Sequence, residues 1–501
     1  MNEWKTPGNQ RRPQAPTPAN QPGDSVPWRA LEQQVARLQT SIFQASQRGD
    51  TPAMHAAQQR LLASEAARLL AVRRVTQENQ GKDTAGVDGV KSLSPRERLT
   101  MAASIHPAYW HTQSPLPVRR VWVPKPGTLE RRPLAILPMI DRCKQALVKL
   151  ALEPEWEARF EPHSYGFRPE RGTQDAIRAI LRAIERQPMF VFDADIEAAF
   201  EHVNQAAVLD KLQTFPALRQ AITGWLTAGV MDGGTYLPTH EGFAQGGVLS
   251  PLLMNVALHG MEAVVRGGTA PVRSLEQPVL VRYGDDFVIL HSDLHELQQA
   301  ARRVRQWLGK MGLQLNAPKT RITHTLTPFQ GQAGLDFLSF TIRQYPAETS
   351  PPSRTVSRSP AWNVLHVVAP EKPAPGFTTV ITPSEDASKR HLAVIGQRLL
   401  TLHSAPQAQV IRDLNPLIGG WAAYYREFVS TAHMSRYDDL VEQLLMKWAS
   451  KRHPNKARDW LLNRYWPRVE KRGRVFVAPE GAELRTYQQT TVPQAKNRKG
   501  P

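Results

Sequence analysis

The stretch Val279-Leu-Val-Arg-Tyr-Gly-Asp-Asp-Phe-Val-Ile-Leu290 places two adjacent acids between two apolar runs. Apolar β-type runs on both sides of a Gly-Asp pair predict a β-hairpin, with Asp285 and Asp286 at its turn. An ordinary turn without chemical role could carry the same pair. The hairpin therefore becomes informative only together with a second acidic element.

That second element lies upstream, in Met189-Phe-Val-Phe-Asp-Ala-Asp-Ile196. Side chains alternate along a strand, so the apolar set faces one way and Asp193 and Asp195 face the other. Residues 197–200 resemble the opening of a helix, for which Asp195 could simply be a cap.

Carboxylates that converge on one place repel each other, and their desolvation is costly unless cations compensate them. Asp195, Asp285 and Asp286 at strand ends of a basic protein therefore predict a divalent-metal site. Hard oxygen ligands favour Mg²⁺, and two ions about 3.5–4 Å apart would serve both oxygens of a phosphoryl transfer.

Between the two acidic elements lies Gly242-Phe-Ala-Gln-Gly-Gly-Val-Leu-Ser-Pro-Leu-Leu-Met-Asn255. The pair Gly246-Gly247 permits close backbone approaches, and Ser250-Pro251 can open an apolar helix. This position in the chain indicates a platform for nucleotide and template.

Length and charge limit the class of protein. A chain of 501 residues is too long for one core, so two to four domains are expected. The net charge is +18, of which +11 falls in residues 341–501. A nucleic-acid partner suits this charge, although a merely soluble basic protein would also show it. No apolar run is long enough for a membrane span, and the N-terminus lacks the apolar stretch of a secretory signal. Cys143, the only cysteine, excludes an internal disulfide and a paired-cysteine zinc site.

The succession of helix-like and strand-like segments along the chain predicts an α+β fold. Residues 1–24 are expected to be disordered, and Trp28 to about Asn79 to form two helices separated at Gly49–Pro52. Residues 118–340 alternate short strands with helices, 344–383 form an irregular linker or insertion, and helices return near Ser384. Asn415-Pro416 is predicted to begin a helix whose apolar face, Leu417, Ile418, Trp421, Tyr424, Tyr425 and Phe428, forms a core stripe.

At this point the chain resembles the reverse transcriptase/maturases encoded by group II introns, in a form lacking their nuclease domain. The resemblance runs in order over residues 28–475 and rests on these segments: Thr84–Gly89, Val123–Gly127, Arg132–Ile136, Ser164–Gly172, Asp195–Phe200, Gln245–Pro251, Tyr283–Asp286, Gly312–Thr320, Leu335–Leu338, Leu414–Arg426 and Arg452–Lys456.

The resemblance implies a right-hand polymerase with a helical C-terminal thumb. Fingers and palm would occupy residues 25–343, the thumb or maturase (X) domain 384–475, and a basic tail 476–501. It further implies RNA-directed DNA polymerase activity on an RNA template with a DNA primer and dNTPs, and binding of the parent intron RNA to assist splicing and retrohoming. A bacterial cytoplasmic location near nucleoid or RNA would follow, with no membrane association. The oligomeric state stays open.

The family's site residues are carried over by motif. Asp195, Asp285, Asp286 and the Ile196 carbonyl would hold two Mg²⁺ ions, whereas Asp193 would be solvated or paired with an arginine. Lys125, Arg132, Phe200, Gln245 and Lys319 would bind the nucleotide, with the Phe200 ring excluding a ribose 2′-hydroxyl. Lys319 could also be an ordinary surface lysine. Weaker assignments to RNA are Arg168, Arg426, Arg452 and Lys456.

Two positions depart from the family's usual residues. Relatives more often carry alanine where Gly284 stands and aspartate where Glu201 stands, and neither change removes a proposed ligand. Two alternatives remain: a reverse transcriptase co-opted for host defence or repair, and an RNA-binding maturase with little polymerase activity.

Overall fold

The computed structural model describes residues 26–124, 131–268, 277–347, 376–469 and 473–490. The predicted disordered tail, 1–24, lies outside these ranges. The chain divides into two compact units, one of residues 1–183 and 190–322, the other of 184–189 and 323–501.

The helices are α1 Trp28–Gln47, α2 Thr51–Ala63, α3 Glu65–Arg73, α4 Pro95–Ser104, α5 Met139–Glu157, α6 Thr173–Ile184, α7 Ala199–His202, α8 Gln205–Leu212, α9 Pro216–Thr227, α10 Ser250–Leu258, α11 Met261–Val265, α12 Leu294–Lys310, α13 Glu385–Thr401, α14 Gln407–Tyr425, α15 Thr431–Arg452, α16 Arg458–Tyr465 and α17 Tyr487–Thr490. The strands are β1 Val118–Pro124, β2 Arg131–Ile136, β3 Phe190–Asp195, β4 Val230–Asp232, β5 Thr235–Leu237, β6 Val279–Tyr283, β7 Asp286–His291, β8 Arg321–His324, β9 Leu335–Phe337, β10 Phe340–Pro346, β11 Phe377–Pro383, β12 Arg468–Val469 and β13 Gly473–Arg474.

The N-terminal helices follow the predicted break. Asp50 caps α2 by accepting from the Ala53 amide at 3.0 Å, with Pro52 in the first turn. A further break at Ser64, which the periodicity did not indicate, separates α2 from α3. The three helices pack against α5, most of whose residues are buried. Burial on nearly every side of α5 makes it the central helix of this helical layer.

The predicted hairpin and acidic strand belong to one sheet, in the order β6-β7-β3-β8. β7 pairs antiparallel with both β6 and β3. Its residues Phe287 to Leu290 are fully buried, which explains why this strand is an unbroken apolar run rather than an alternating one. A second sheet, in the order β2-β1-β4-β5, contains the predicted Val118–Val123 strand.

In the second unit, part of the predicted linker is a strand pair. β10 and β11 are antiparallel along their full length, from Phe340 opposite Pro383 to Pro346 opposite Phe377. The assignment of 344–346 and 377–383 to an irregular segment was therefore wrong, because the pairing joins strands far apart in sequence. Residues 348–375 lie outside the described ranges.

The expected helix start at Asn415-Pro416 was also wrong. α14 begins at Gln407 and continues through Pro416, even though an internal proline removes a backbone hydrogen bond and costs about 3 kcal/mol. Burial of Val410, Leu414 and Ile418 on one face holds the helix together. The Asn415 side chain does not cap a helix but binds the segment at 483–485. Its Nδ2 donates to the Glu483 carbonyl at 3.0 Å, and its Oδ1 accepts from the Arg485 backbone amide at 2.8 Å.

The predicted aromatic stripe forms core contacts. The Tyr424 and Tyr425 rings lie 5.2 and 4.8 Å from the Phe340 ring, and the Trp421 ring lies 4.4 Å from Tyr437. The two tyrosine hydroxyls donate to the carbonyls of residues 338 and 339, at the turn between β9 and β10. The stripe therefore joins α14 to this turn.

Candidate active site

Strand register brings the acids of the two predicted elements together. Asp195, the last residue of β3, pairs directly with Asp286, the first residue of β7. The turn that joins β6 to β7 contains Gly284, which has φ +67°, a conformation that glycine adopts without the cost it imposes on other residues. Asp285 follows in the turn itself. Three carboxylates from two distant sequence segments thus share one edge of the sheet.

The carboxylates perturb one another. Burial raises the pKa of Asp286 to about 7, and the negative charges of Asp285 and Asp195 and a hydrogen bond with Asp195 add to the effect. Burial and then Asp195 also raise the pKa of Asp285, opposed by the nearby positive charges of Lys319 and Arg132. Without a compensating cation, this acidic cluster is electrostatically unfavourable.

Lys319 supplies part of that compensation. Its Nζ donates to Asp195 Oδ2 at 2.6 Å, and this bond raises the pKa of Lys319. The structure thus places Lys319 at the acidic cluster. The side chain remains 65% exposed, so it can move without disturbing the core.

The donor set suits a hard divalent cation, because it consists of carboxylate oxygens brought together at one end of paired strands. Yet no group of three or more His, Cys, Asp or Glu side chains in the described ranges is arranged to hold a metal as it stands.

Ile196 anchors the end of the acidic strand. Ile196 and Leu315 form an isolated antiparallel β-bridge. Its two hydrogen bonds join the neighbouring residues: the Asn316 amide donates to the Asp195 carbonyl, and the Glu197 amide donates to the Gln314 carbonyl. Neither bond uses the Ile196 carbonyl, while the Ile196 side chain is buried in the core.

A pocket of about 140 Å³ lies in the same unit, between the β1–β2 sheet and the Gly242–Asn255 segment. Phe200, Gln245, Arg120 and Pro133 are among its lining residues. The Gln245 carbonyl accepts from the Ala135 amide at 2.7 Å, while its side-chain Oε1 is buried with no partner in the described ranges. A buried acceptor without a partner is uncommon in folded proteins and marks Gln245 among the residues that line the pocket.

The remaining predicted nucleotide ligands lie on β2 or outside the described ranges. Arg132 is exposed on β2, opposite Val123, and its charge lowers the pKa of Asp285. Lys125 lies outside the described residues. The interpretation of Asp193 as an arginine-paired acid is confirmed, since it accepts from Arg321 Nε at 3.0 Å.

Arg168 does not suit its predicted role in RNA binding. Its side chain is 2% exposed and pairs with Glu157 at 2.8 Å, while a second nitrogen donates to the carbonyls of Glu161 and Ser164. Those contacts lie inside the protein, so we correct the assignment to a structural one. The motif resemblance could not predict that Arg168 is buried, because a sequence motif does not specify the burial of its residues.

The other RNA candidates lie in the second unit. Arg426 and Lys456 are exposed. Lys456 lies 5.4 Å from the Trp460 ring, and Trp460 is 38% exposed. Arg452 is partly committed, because it donates to the carbonyls of His403 and Ala405 and lies over the Trp448 ring.

Three residues at the site were missed from the sequence: Arg282, Asn255 and Phe167. Arg282 and Asn255 are fully buried behind the turn, and Phe167, with φ +61°, places its ring against Gly284. The signal for Arg282 was present, since a charged residue stands inside an apolar strand. Phe167 gave no comparable signal.

Comparison with known proteins agrees with this geometry. Residues 123–342 match the family model described as reverse transcriptase (RNA-dependent DNA polymerase), 24–105 that of the N-terminal domain of reverse transcriptase, and 388–466 that of the group II intron, maturase-specific domain. Protein YkfC of Escherichia coli is 32% identical over 290 residues, covering 50% of this chain and 75% of YkfC.

Two further relatives carry descriptive names. Group II intron-encoded protein LtrA of Lactococcus lactis is 26% identical over 328 residues, which cover 53% of each chain. Maturase-like protein 1 of Euglena gracilis is 26% identical over 319 residues, covering 62% of this chain and 64% of that protein. The match thus spans about half the length of LtrA.

The acidic sheet edge and the matched domain define a polymerase of the reverse transcriptase class. With its N-terminal and maturase-specific domains, the chain belongs to the group II intron-encoded reverse transcriptase/maturase family. None of the helices in the described ranges has the length and apolar character needed to cross a membrane.

Proposed function

We propose that this protein synthesises DNA on an RNA template and also binds the RNA of its parent group II intron. The observation that carries the first part is the pairing of Asp195 with Asp286 beside Asp285. Two chemical needs of nucleotidyl transfer, clustered oxygen ligands and nearby cations, meet at one sheet edge. Template RNA, a DNA primer and dNTPs would be the substrates.

Asp195, Asp285, Asp286 and the Ile196 carbonyl would hold two Mg²⁺ ions, which when bound supply charge stabilisation for the attacking and leaving oxygens. The protein's own contribution is to fix the carboxylates on paired strands before substrate arrives. The raised pKa of Asp286 also means that metal binding must displace a proton at neutral pH. We therefore expect metal affinity to increase with pH.

The incoming nucleotide would bind at the pocket that Phe200 and Gln245 line. Arg132 would grip the triphosphate, with Lys125 as a second cation, since a guanidinium can make two parallel bonds to phosphate. Gln245 would donate or accept at the nucleotide, using a side chain whose Oε1 has no partner among the described residues. Phe200, which lines the pocket, would sit below the sugar and exclude a ribose 2′-hydroxyl.

Lys319 has a double part in this proposal. Its pairing with Asp195 balances the acidic cluster while no cation is bound. Release of that carboxylate would free the ammonium group to protonate the departing pyrophosphate. Its exposure allows this movement at little cost.

Primer extension on an RNA template with Mg²⁺ and dNTPs tests the polymerase. Asp285→Ala should abolish extension, whereas Asp193→Asn is a matched control on the same sheet. Asp193 faces Arg321 rather than the cluster, so its variant should retain most activity. Undiminished extension by Asp285→Ala would contradict the mechanism, and loss in both variants would indicate a folding defect.

The maturase function rests on charge and on the matched maturase domain. Residues 341–501 carry a net charge of +11, and Arg426 and Lys456 are exposed there. Such a surface would grip structured intron RNA by its phosphates and favour the fold in which the ribozyme splices, as an RNA-associated cytoplasmic protein. Binding should fall steeply between roughly 50 and 200 mM salt. Binding that does not respond to salt would contradict this electrostatic account.

A further inference from the structure

A buried positive charge lies directly behind the acidic turn. Arg282 is 0% exposed, in the middle of the otherwise apolar strand β6. One terminal nitrogen donates to Asn255 Oδ1 at 2.9 Å and to the Gly284 carbonyl at 3.0 Å, and the other donates to Ser164 Oγ at 2.7 Å. The side chain therefore holds the backbone of the turn from inside.

Its partners are themselves fixed. Asn255 is 0% exposed, and its side-chain nitrogen Nδ2 donates to the Gly166 carbonyl at 2.8 Å. The Arg282 amide donates to the His163 carbonyl at 3.0 Å, and its carbonyl accepts from the Tyr165 amide at 2.9 Å. The segment His163–Gly166 is thereby bound to β6 through backbone and side chains together.

This segment also touches the turn directly. A Cβ placed on Gly166 would lie 2.4 Å from the Gly284 nitrogen, so the two backbones are in close contact. Any movement of the turn toward the interior is blocked on this side. Movement away from the interior would break the Arg282 bond to the Gly284 carbonyl.

A buried guanidinium needs a reason to be retained, because desolvating a charge is costly and apolar replacement is often as stable. Two buried acids, Glu161 and Glu262, offset part of the cost electrostatically, as does Asp285. The Nε of Arg282 has no hydrogen-bond partner in the described ranges, and this buried donor without an acceptor lowers the stability of the fold. What Arg282 does uniquely is connect the core to the carbonyl that precedes Asp285.

We propose that Arg282 is a positioning residue for nucleotidyl transfer: with Asn255 and Ser164 it fixes the Gly284 carbonyl and thereby the placement of the Asp285 carboxylate. This inference rests on the proposed polymerase function. Arg282 does not touch substrate. Its effect passes through one peptide group to the reacting centre.

Arg282→Lys is the main test, because lysine keeps the charge but cannot reach three acceptors as a planar fork. A misplacement of about 1 Å at a reacting centre can cost on the order of 100-fold in rate. We expect kcat for primer extension to fall by roughly 10- to 100-fold and the Mg²⁺ concentration for half-maximal rate to rise. The KM for dNTP and the affinity for RNA should stay within about twofold, because neither nucleotide nor RNA contacts this arginine.

Arg303→Lys is the matched control. Arg303 is only partly buried, but it too holds backbone carbonyls, those of Val264 and Val265, which lie outside the turn at Gly284. Its loss should lower the melting temperature without changing the Mg²⁺ requirement. Ser164→Ala removes one acceptor of Arg282 while keeping the charge, and should give a smaller loss of kcat in a protein that folds normally.

The outcomes separate the two proposals. If the unsubstituted protein fails to extend a primer, the polymerase function itself is refuted. If that protein is active and Arg282→Lys and Ser164→Ala show kcat and Mg²⁺ requirement no different from Arg303→Lys, only the positioning role is refuted. Should Arg282→Lys fail to fold, Ser164→Ala decides alone: a rise in its Mg²⁺ requirement beyond that of Arg303→Lys supports the positioning role, and an equal requirement refutes it.

Discussion

Gly284→Ala should destabilise this protein, because Gly284 holds a backbone conformation that disfavours a side chain. Gly284 has φ +67°, where a Cβ costs roughly 1–2 kcal/mol in backbone energy. The added Cβ would also lie 2.8 Å from Cε2 of the Phe167 ring. Something must shift at that distance, and the ring is the part able to do so because Phe167 is 46% exposed.

We expect a total loss of about 2–3 kcal/mol in the free energy of unfolding, within the range for a strained backbone site. Gly233→Ala is the matched control. Gly233 has a similar φ of +57° in a turn, but a Cβ there would meet nothing within 4 Å. The difference between the two variants therefore isolates the contact with Phe167.

Thermal or chemical unfolding of Gly284→Ala, Phe167→Ala and the double variant measures that contact as a coupling energy. Phe167→Ala should remove the excess cost over Gly233→Ala, giving a coupling of about 0.5–2 kcal/mol. Primer extension by the same set would show whether the displaced turn also lowers kcat. Equal costs for Gly284→Ala and Gly233→Ala, or a coupling near zero, would refute the reasoning.

Three further predictions concern separate residues. Phe200→Ala should admit ribonucleotides, measured as the ratio of kcat/KM for dNTP and NTP; an unchanged ratio would remove its role in sugar selection. In EDTA, folded Asp286 holds its proton up to a pKa of about 7, against an ordinary value of 3.8, so stability falls as pH rises between these values. Asp286→Asn should then be more stable than the unsubstituted protein at pH 8, by up to about 4 kcal/mol, and equally stable at pH 3.5, and Mg²⁺ should stabilise only the unsubstituted protein; equal stability at both pH values would contradict the raised pKa. Burial lowers the pKa of His391 to about 4. The stability that the buried neutral imidazole contributes is therefore complete above pH 6.5 and is lost as the pH falls toward 4. His391→Gln should flatten the melting temperature across that interval, and an equal slope would count against this account.

Much of the active-site sheet could be predicted, because its elements are strongly patterned. The hairpin around Gly284, the acidic strand ending at Asp195 and the helix beginning at Ser250 all appear where the apolar runs and turn residues indicate. Local signals decide such elements: strand residues flanking a glycine turn, and a proline in the first helical turn.

Errors arose where distant contacts overrode local signals. Pro416 reads locally as a helix start, yet burial of the α14 face carries the helix through it. β10 and β11 read as irregular, yet each completes the other's backbone hydrogen bonding. Arg168 resembles a phosphate ligand in its motif, yet its partner Glu157 lies on the buried central helix.

The amino-acid sequence by itself determined the chemistry available to this protein: three acids, their cations, a glycine-dependent turn and a basic C-terminal third. Only the tertiary structure decided which groups meet. It put Asp195 opposite Asp286, turned Lys319 onto Asp195 and buried Arg282 behind Gly284. The physical reason is that register and burial depend on packing between segments far apart in the chain, whereas residue patterns report only the propensities of each segment alone.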